Sequence, residues 1–271
     1  MAKITAENRE LFTEKSKAYK ELTEKILERE KNTLTLSAND TAGMGYKRLL
    51  LSEEMMYIAS VYIIINNLSV EILGVKNEDA LNDSRKAIYK AIIYLEEIVS
   101  NIVDASFSEY EDRLQEITNT PLEKRYHLVR KLGLTIQLME DAYGDNTKWK
   151  WSFVEVEGRF ATVAKNLMNM KNAGRDAIDP QSPDYDITIY YLRLIKKLHS
   201  QVADAYRNKY ELTTKRLDDM RLGINYLLAL RRLQILTNER EEAEETKRKA
   251  LTWRNKMDED VKRAEAARKS K

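Results

Sequence analysis

MMYIASVYIIINNLSVEIL, residues 55–73, decides the fold, because fourteen of these nineteen residues are apolar. A helix apolar on nearly every side is either the central rod of a bundle or a membrane span. Its nine Ile, Leu and Val residues would contribute roughly −3 to −5 kcal/mol on a membrane-insertion scale. Asn66 and Asn67 near the middle and Glu71 near the end offset much of that gain. In a bundle these polar groups can turn toward a seam edge or a hydrogen-bonding neighbour.

The following segment supplies a place for burial. After Gly74 a helix is expected to start near Asn77 or Asp79 and to continue past Val103. Its seam is Ile88, Ile92, Leu95, Val99 and Ile102, alternating four and three residues apart, with Ile93, Ile98 and Val103 widening the stripe. So short a connection makes the pair an antiparallel hairpin. Residues 55–73 therefore read as a rod, not a span.

Upstream, a charged helix is expected over residues 5–32, with a narrow seam of Leu11, Ala18, Leu22 and Ile26 that needs a partner. A break follows at 33–46, where Ser37, Asn39, Asp40 and Thr41 are helix-starting types and Gly43 and Gly45 loosen the chain. Gly43, Gly45 and Lys47 lack the full GxxxxGK[ST] pattern, so this is a linker and not a phosphate loop.

Downstream, Thr120 is expected to cap a helix with Pro121 at its first position. That helix carries Leu122, Tyr126, Val129, Leu132, Ile136 and Met139 on one side and ends at Gly144-Asp145-Asn146. The cleanest heptad follows: Trp149, Phe153, Val156, Phe160, Val163, Leu167 and Met170. Residues 174–183 hold two of the three prolines and form the expected internal boundary. Beyond them, Ile187, Tyr191, Leu194, Leu198, Val202 and Ala205 make one seam and Met220, Ile224 and Leu227 another, with a turn near Thr213-Thr214. Asn238 with Glu241 three residues later suggests a capping box. The last segment is polar nearly all round, with acid-first charge pairs four apart such as Glu244 with Arg248 and Glu245 with Lys249. It is a projecting helix or a coiled coil with a thin seam of Ala243, Ala250, Trp253 and Met257.

Composition narrows the function classes. Three prolines and eight glycines in 271 residues favour long uninterrupted helices, and 33% charged residues imply wide solvated faces. The net charge of +2 argues against a dedicated nucleic-acid binder. The absence of cysteine excludes disulfides, thiol catalysis and thiolate zinc sites. With no apolar signal-peptide core at the N-terminus, a cytoplasmic location is expected.

The two histidines do not build a di-iron motif: Lys124 and Lys196, not Glu, stand three residues before His127 and His199. Glu123, four before His127, reads as a surface neighbour. The doublets Glu53-Glu54, Glu96-Glu97 and Asp218-Asp219 each supply at most one inward carboxylate. No catalytic residue, cofactor or metal is expected. Lys148, Lys150 and Trp151 mix bases with an aromatic, and Trp253 with Arg254 repeats this in the tail. These five are the candidate partner contacts.

The expectation is an all-α protein: an elongated bundle of long antiparallel helices at 39–236, with charged helical arms at 1–38 and 237–271. Its expected role is structural or assembly work through coiled-coil contacts with protein partners, self-association through the arms included. Neither nucleic acid nor stable membrane insertion is the expected partner. Three alternatives remain: a pore-forming or membrane-associated protein using 55–73, a nucleic-acid-associated protein using Lys148 to Trp151 and the basic C-terminal tip, where ten bases stand against four acids from Lys247 onward, and a bundle enzyme or ligand carrier, which would need a buried polar pocket.

Overall fold

A computed structural model describes residues 4–38, 42–145 and 147–269, and among these there are ten α-helices and no strand. The helices are α1 Ala6–Ser37, α2 Met44–Leu73, α3 Glu78–Ile98, α4 Glu111–Gln115, α5 Leu122–Tyr143, α6 Lys150–Asn166, α7 Met170–Asp176, α8 Tyr185–Lys209, α9 Leu217–Leu236 and α10 Arg240–Lys269. The all-α reading holds. The helix-starting types at Asn39, Asp40 and Thr41, and Asn146 of the α5 stop, lie outside the described residues.

The chain forms two compact units, residues 1–100 with 112–150, and residues 101–111 with 151–271. The boundary thus falls near 100, 111 and 150, whereas the expected boundary at 174–183 lies within the second unit.

In the first unit α2 is the rod, set among α1, α3 and α5. Met55, Ile58 and Ala59 on α2 and Ile88, Ala91, Ile92 and Leu95 on α3 have no exposed surface. The Ser52 hydroxyl donates to Ala91 O and the Ser84 hydroxyl to Ala59 O, each at 3.0 Å, which fixes the antiparallel register of a close α2–α3 pair. Gly74, at φ 69, closes α2 in the left-handed conformation that glycine adopts without steric cost. The polar residues inside the rod have work to do. Buried Asn66 accepts from the Asn77 amide at 3.0 Å, and Ser69 donates to Val75 O at 2.9 Å. α2 is also long and apolar enough to cross a membrane by composition, with a mean hydropathy of 1.5 over its most apolar window.

Four expectations need correction here. The α1 helix runs to Ser37 instead of stopping near Asn32, since 33–37 holds no glycine or proline and Thr35 bonds back to Lys31 O. Its inward face is also different: Leu11 and Ala18 are exposed, while Phe12, Ser16, Tyr19, Thr23, Ile26, Glu30 and Ser37 turn inward. Buried Glu30 accepts from Lys90 Nζ at 2.7 Å and from the Tyr94 hydroxyl. The α3 helix stops at Ile98 where the chain leaves for the other unit, so Ile102 ends 55% exposed, off the seam. Pro121, not Thr120, holds the cap position of α5, and the turn before it is tied by Arg125, which donates to Thr120 O and Ile117 O at 2.9 Å. α5 then runs parallel to α2, joined at one end by Asn119 N to Tyr46 Oη (3.0 Å) and at the other by Lys76 Nζ to Tyr143 O (2.6 Å).

In the second unit α8, α9 and α10 pack in sequence around Val202, Tyr206, Met220, Tyr226, Leu227 and Trp253. The expected heptad of α6 is confirmed from Phe153 to Leu167, all five seam residues being buried. The turn near Thr213-Thr214 is a π-helical turn, Tyr210–Thr214, ended by Lys215 at φ 51. Asn238 does not cap α10 from an extended conformation; it sits left-handed at φ 59, and α10 starts two residues later. Nor does α10 project. Ala243, Ala250 and Trp253 are buried and Met257 packs on the same core. Glu244 pairs with Arg231 of α9 at 3.4 Å as well as with Lys247 of its own helix at 3.2 Å, and Lys249 pairs with Asp204 of α8 at 2.8 Å, so charges tie α10 to its neighbours, while Glu259 and Arg263 form the expected pair four apart at 3.6 Å.

Candidate functional site

The second unit contains a cleft of about 380 Å³ with an ionisable group in its wall. Segment 104–110 forms one side, α9 contributes Ala229, Arg232, Leu233 and Leu236, and Met170 closes the end. Lys165 enters from the last turn of α6 and is 6% exposed. Its ammonium donates to Ala105 O at 3.3 Å and lies 5.7 Å from the centre of the Tyr110 ring. Burial pushes the Lys165 amine down to about 8, against the opposing pull of Asp104. Asp104 itself is held by Arg232 at 3.0 Å, which stands exposed with Ser106 at the mouth.

Near this cleft, His199 is fully buried on α8. Its Nδ1 bonds to Ile195 O at 2.8 Å, its Nε2 has no partner, and its ring meets Tyr226 edge-on at 5.6 Å. Desolvation holds its pKa down at about 4, so it is a neutral core imidazole at physiological pH. His127 lies in the first unit, 3.6 Å from Glu123, with both side chains exposed. Among the described residues no group of three or more acids and histidines is placed to hold a metal ion.

The first unit offers a different kind of site, an exposed stripe on α5. His127, Lys131, Leu134, Leu138 and Asp141 are spaced four, three, four and three apart, and all five are exposed, Leu134 at 57% and Leu138 at 50%. Leu50, Tyr57 and Ile64, seven apart on α2, are also exposed. The two stripes border each other at the ion pair of Lys131 with Glu53, 3.0 Å. The stripe is masked in the sequence by the stronger apolar seam of Leu122, Val129, Leu132, Ile136 and Met139 on the opposite side of α5.

The residues picked out from the sequence divide between the units. Lys148 and Lys150 are exposed in the first, where Lys148 lies 5.4 Å from the Trp149 ring. Trp151 and Trp253 belong to the second, and both pack on its core. Trp253, 3% exposed, is a core residue, with Arg207 at 5.2 Å and Lys249 at 5.1 Å from its ring. Arg254, beside it, is exposed.

A family model matches almost the whole of this architecture, from residue 8 to residue 261. No curated protein and no solved structure matches the chain. With both units inside the matched span, the chain belongs to the TP0443 family.

Proposed function

We propose that the protein is a non-catalytic assembly component that acts through helix–helix contacts, and that its contact surface is the exposed α5 stripe, taken up by a second copy of the chain. The observation that carries this is the coiled-coil spacing of His127, Lys131, Leu134, Leu138 and Asp141 on a solvent face. A two-fold pairing needs a self-complementary stripe, and this one changes charge along its length: Lys124, Arg130 and Lys131, with Glu123 the one acid before the leucines, give way to Asp141 and Asp145 after them. Laid antiparallel about a point between Leu134 and Leu138, each Leu134 meets the Leu138 of the other copy and each Lys131 meets Asp141. The bordering Leu50, Tyr57 and Ile64 extend the contact. α10 buries Ala243, Ala250 and Trp253 within its own unit and α1 packs on α2 through Phe12, Tyr19, Leu22 and Ile26, which favours the α5 stripe over the arms as the surface for self-association.

The natural absence of cysteine makes the test clean. Light scattering coupled to size exclusion should give a dimer for the full chain and a monomer for the double variant Leu134→Glu, Leu138→Glu, with unchanged helicity. The double variant Leu134→Cys, Leu138→Cys should oxidise to a covalent dimer, because each 134 position faces the 138 position of the other copy, while a cysteine at exposed Gln201 should not. A wild-type chain that stays monomeric at high concentration refutes the proposal.

A further inference from the structure

The cleft around Lys165 is not explained by assembly. It is built from apolar side chains, chiefly Phe107, Met170, Ala229 and Leu233, and its volume of about 380 Å³ is in the range of small-molecule sites. Placing an ammonium in such a wall is costly unless an anion or several acceptors offset the lost hydration. Lys165 has three N–H donors, and the structure gives them one carbonyl at 3.3 Å. Among the described residues no carboxylate lies within ion-pair distance of it, and the Asp104 carboxylate is paired with Arg232, Oδ1 at 3.0 Å and Oδ2 at 3.3 Å. The lining therefore carries one positive charge in excess, Lys165 and Arg232 against Asp104, and among the described residues the Lys165 ammonium has no ion-pair partner.

We propose that this cleft is a binding site for a small carboxylate with an apolar body, its head on the Lys165 ammonium and its body against Phe107, Met170 and Leu233. A single ammonium suits a monoanion. A phosphate dianion would call for bidentate arginine or a set of backbone N–H groups, and Arg232 is committed to Asp104. The anion replaces the missing acceptors, and the apolar body displaces water that the walls cannot hydrogen-bond. This inference is independent of the dimer proposal, because every residue it uses belongs to the second unit.

Titration calorimetry on the full chain tests it with octanoate, 3-phenylpropanoate and octanol as probes. Octanoate or 3-phenylpropanoate should bind, and octanol, which has the body without the charge, should bind at least about tenfold more weakly than octanoate. Lys165→Met keeps the length and loses the charge; it should abolish that preference and leave octanol unaffected. A second measurement does not depend on the variant folding. Octanoate affinity of the wild-type chain should be flat at neutral pH and fall by about tenfold per unit once the pH exceeds that of the free amine, near 8. The groups facing the amine are Glu109, held low by hydrogen bonds from Ser106, Tyr110, pushed up by its own burial, His199, held at about 4, and the ion pair of Asp104 with Arg232; the amine is the one whose value lies near 8. Absence of binding by either carboxylate at millimolar concentration overturns the proposal. So does equal binding of octanoate and octanol, or octanoate binding that is indifferent both to Lys165→Met and to alkaline pH.

Discussion

Replacing Trp253 by alanine should undock α10. The indole is 3% exposed, and an aromatic side chain in that condition takes about 150–250 Å² out of water. At ~25 cal/mol per Å² this is worth roughly 4–6 kcal/mol, an upper bound because an unfolded chain is not fully extended. Alanine retains part of that burial but leaves a void beside Gly223, whose α-carbon comes so close that a Cβ there would lie 3.4 Å from the ring. The expected loss is therefore about 3–5 kcal/mol. The rest of the α10 seam is Ala243, Ala250 and the partly buried Met257, which cannot hold a thirty-residue helix of otherwise polar character. The loss should thus appear first as faster amide exchange along α10, and then as a lower denaturation midpoint for the second unit, read by urea titration with circular dichroism. Trp253→Phe should retain most of the protection. A loss below about 1 kcal/mol with unchanged exchange in α10 would refute the packing argument and return Trp253 to the status of a partner contact.

Other substitutions check separate parts of the structure. Gly158→Ala should destabilise by about 1–3 kcal/mol despite the better helix propensity of alanine, because the new Cβ would stand 2.9 Å from Tyr206 Cε2 and from Tyr226 Oη in a stacked tyrosine pair; thermal melting decides. Glu30→Ala should cost about 1–3 kcal/mol by leaving the buried Tyr94 hydroxyl without an acceptor, whereas Glu30→Gln, which keeps one, should cost less than about 1 kcal/mol in chemical denaturation. His199 predicts an acid-sensitive core. Its folded pKa of about 4 lies below the unfolded value of 6.5, so the unfolded chain binds the extra proton between these values. Its contribution is fully present above 6.5 and is lost as the pH falls toward 4, on the order of 3 kcal/mol in all. Stability measured against pH in His199→Met should lack this slope.

How far the fold could be read from the sequence follows from what fills each seam. The α2–α3 pair and α6 were legible because their buried positions are Ile, Leu, Val, Met and Phe at alternating spacings of three and four. The faces of α1 and α8 were not, because their buried positions include Ser16, Thr23 and Glu30 in one and Thr188 and His199 in the other. Ser16 and Thr23 satisfy their hydroxyls on Thr13 O and Lys20 O of their own helix, which makes them compact enough to bury and invisible to a count of apolar residues. Lys165 was hidden for a different reason. It lies off the heptad of α6 and reads locally as a solvated lysine; it is buried only because residues 104–110 fold over it from sixty positions away. The division into two units was equally illegible, since it depends on where the chain crosses at 100, 111 and 150 and not on any glycine- or proline-rich linker.

The hydroxyl-rich face of α1 sets a limit on how firmly that helix is held. Of its buried residues only Ile26 is apolar, helped by the partly buried Phe12, Tyr19 and Leu22 packed against Val61 and Ile65. Serine and threonine side chains already bonded to their own backbone lose little when water returns to them. Lifting α1 away must break the bonds of Glu30 to Lys90 and Tyr94, but it exposes less apolar surface than parting α2 from α3 and so costs less. What it uncovers is the flank of the most apolar helix in the chain, so a molecule that keeps its core intact can still, for a small fraction of the time, present a long greasy groove to its surroundings.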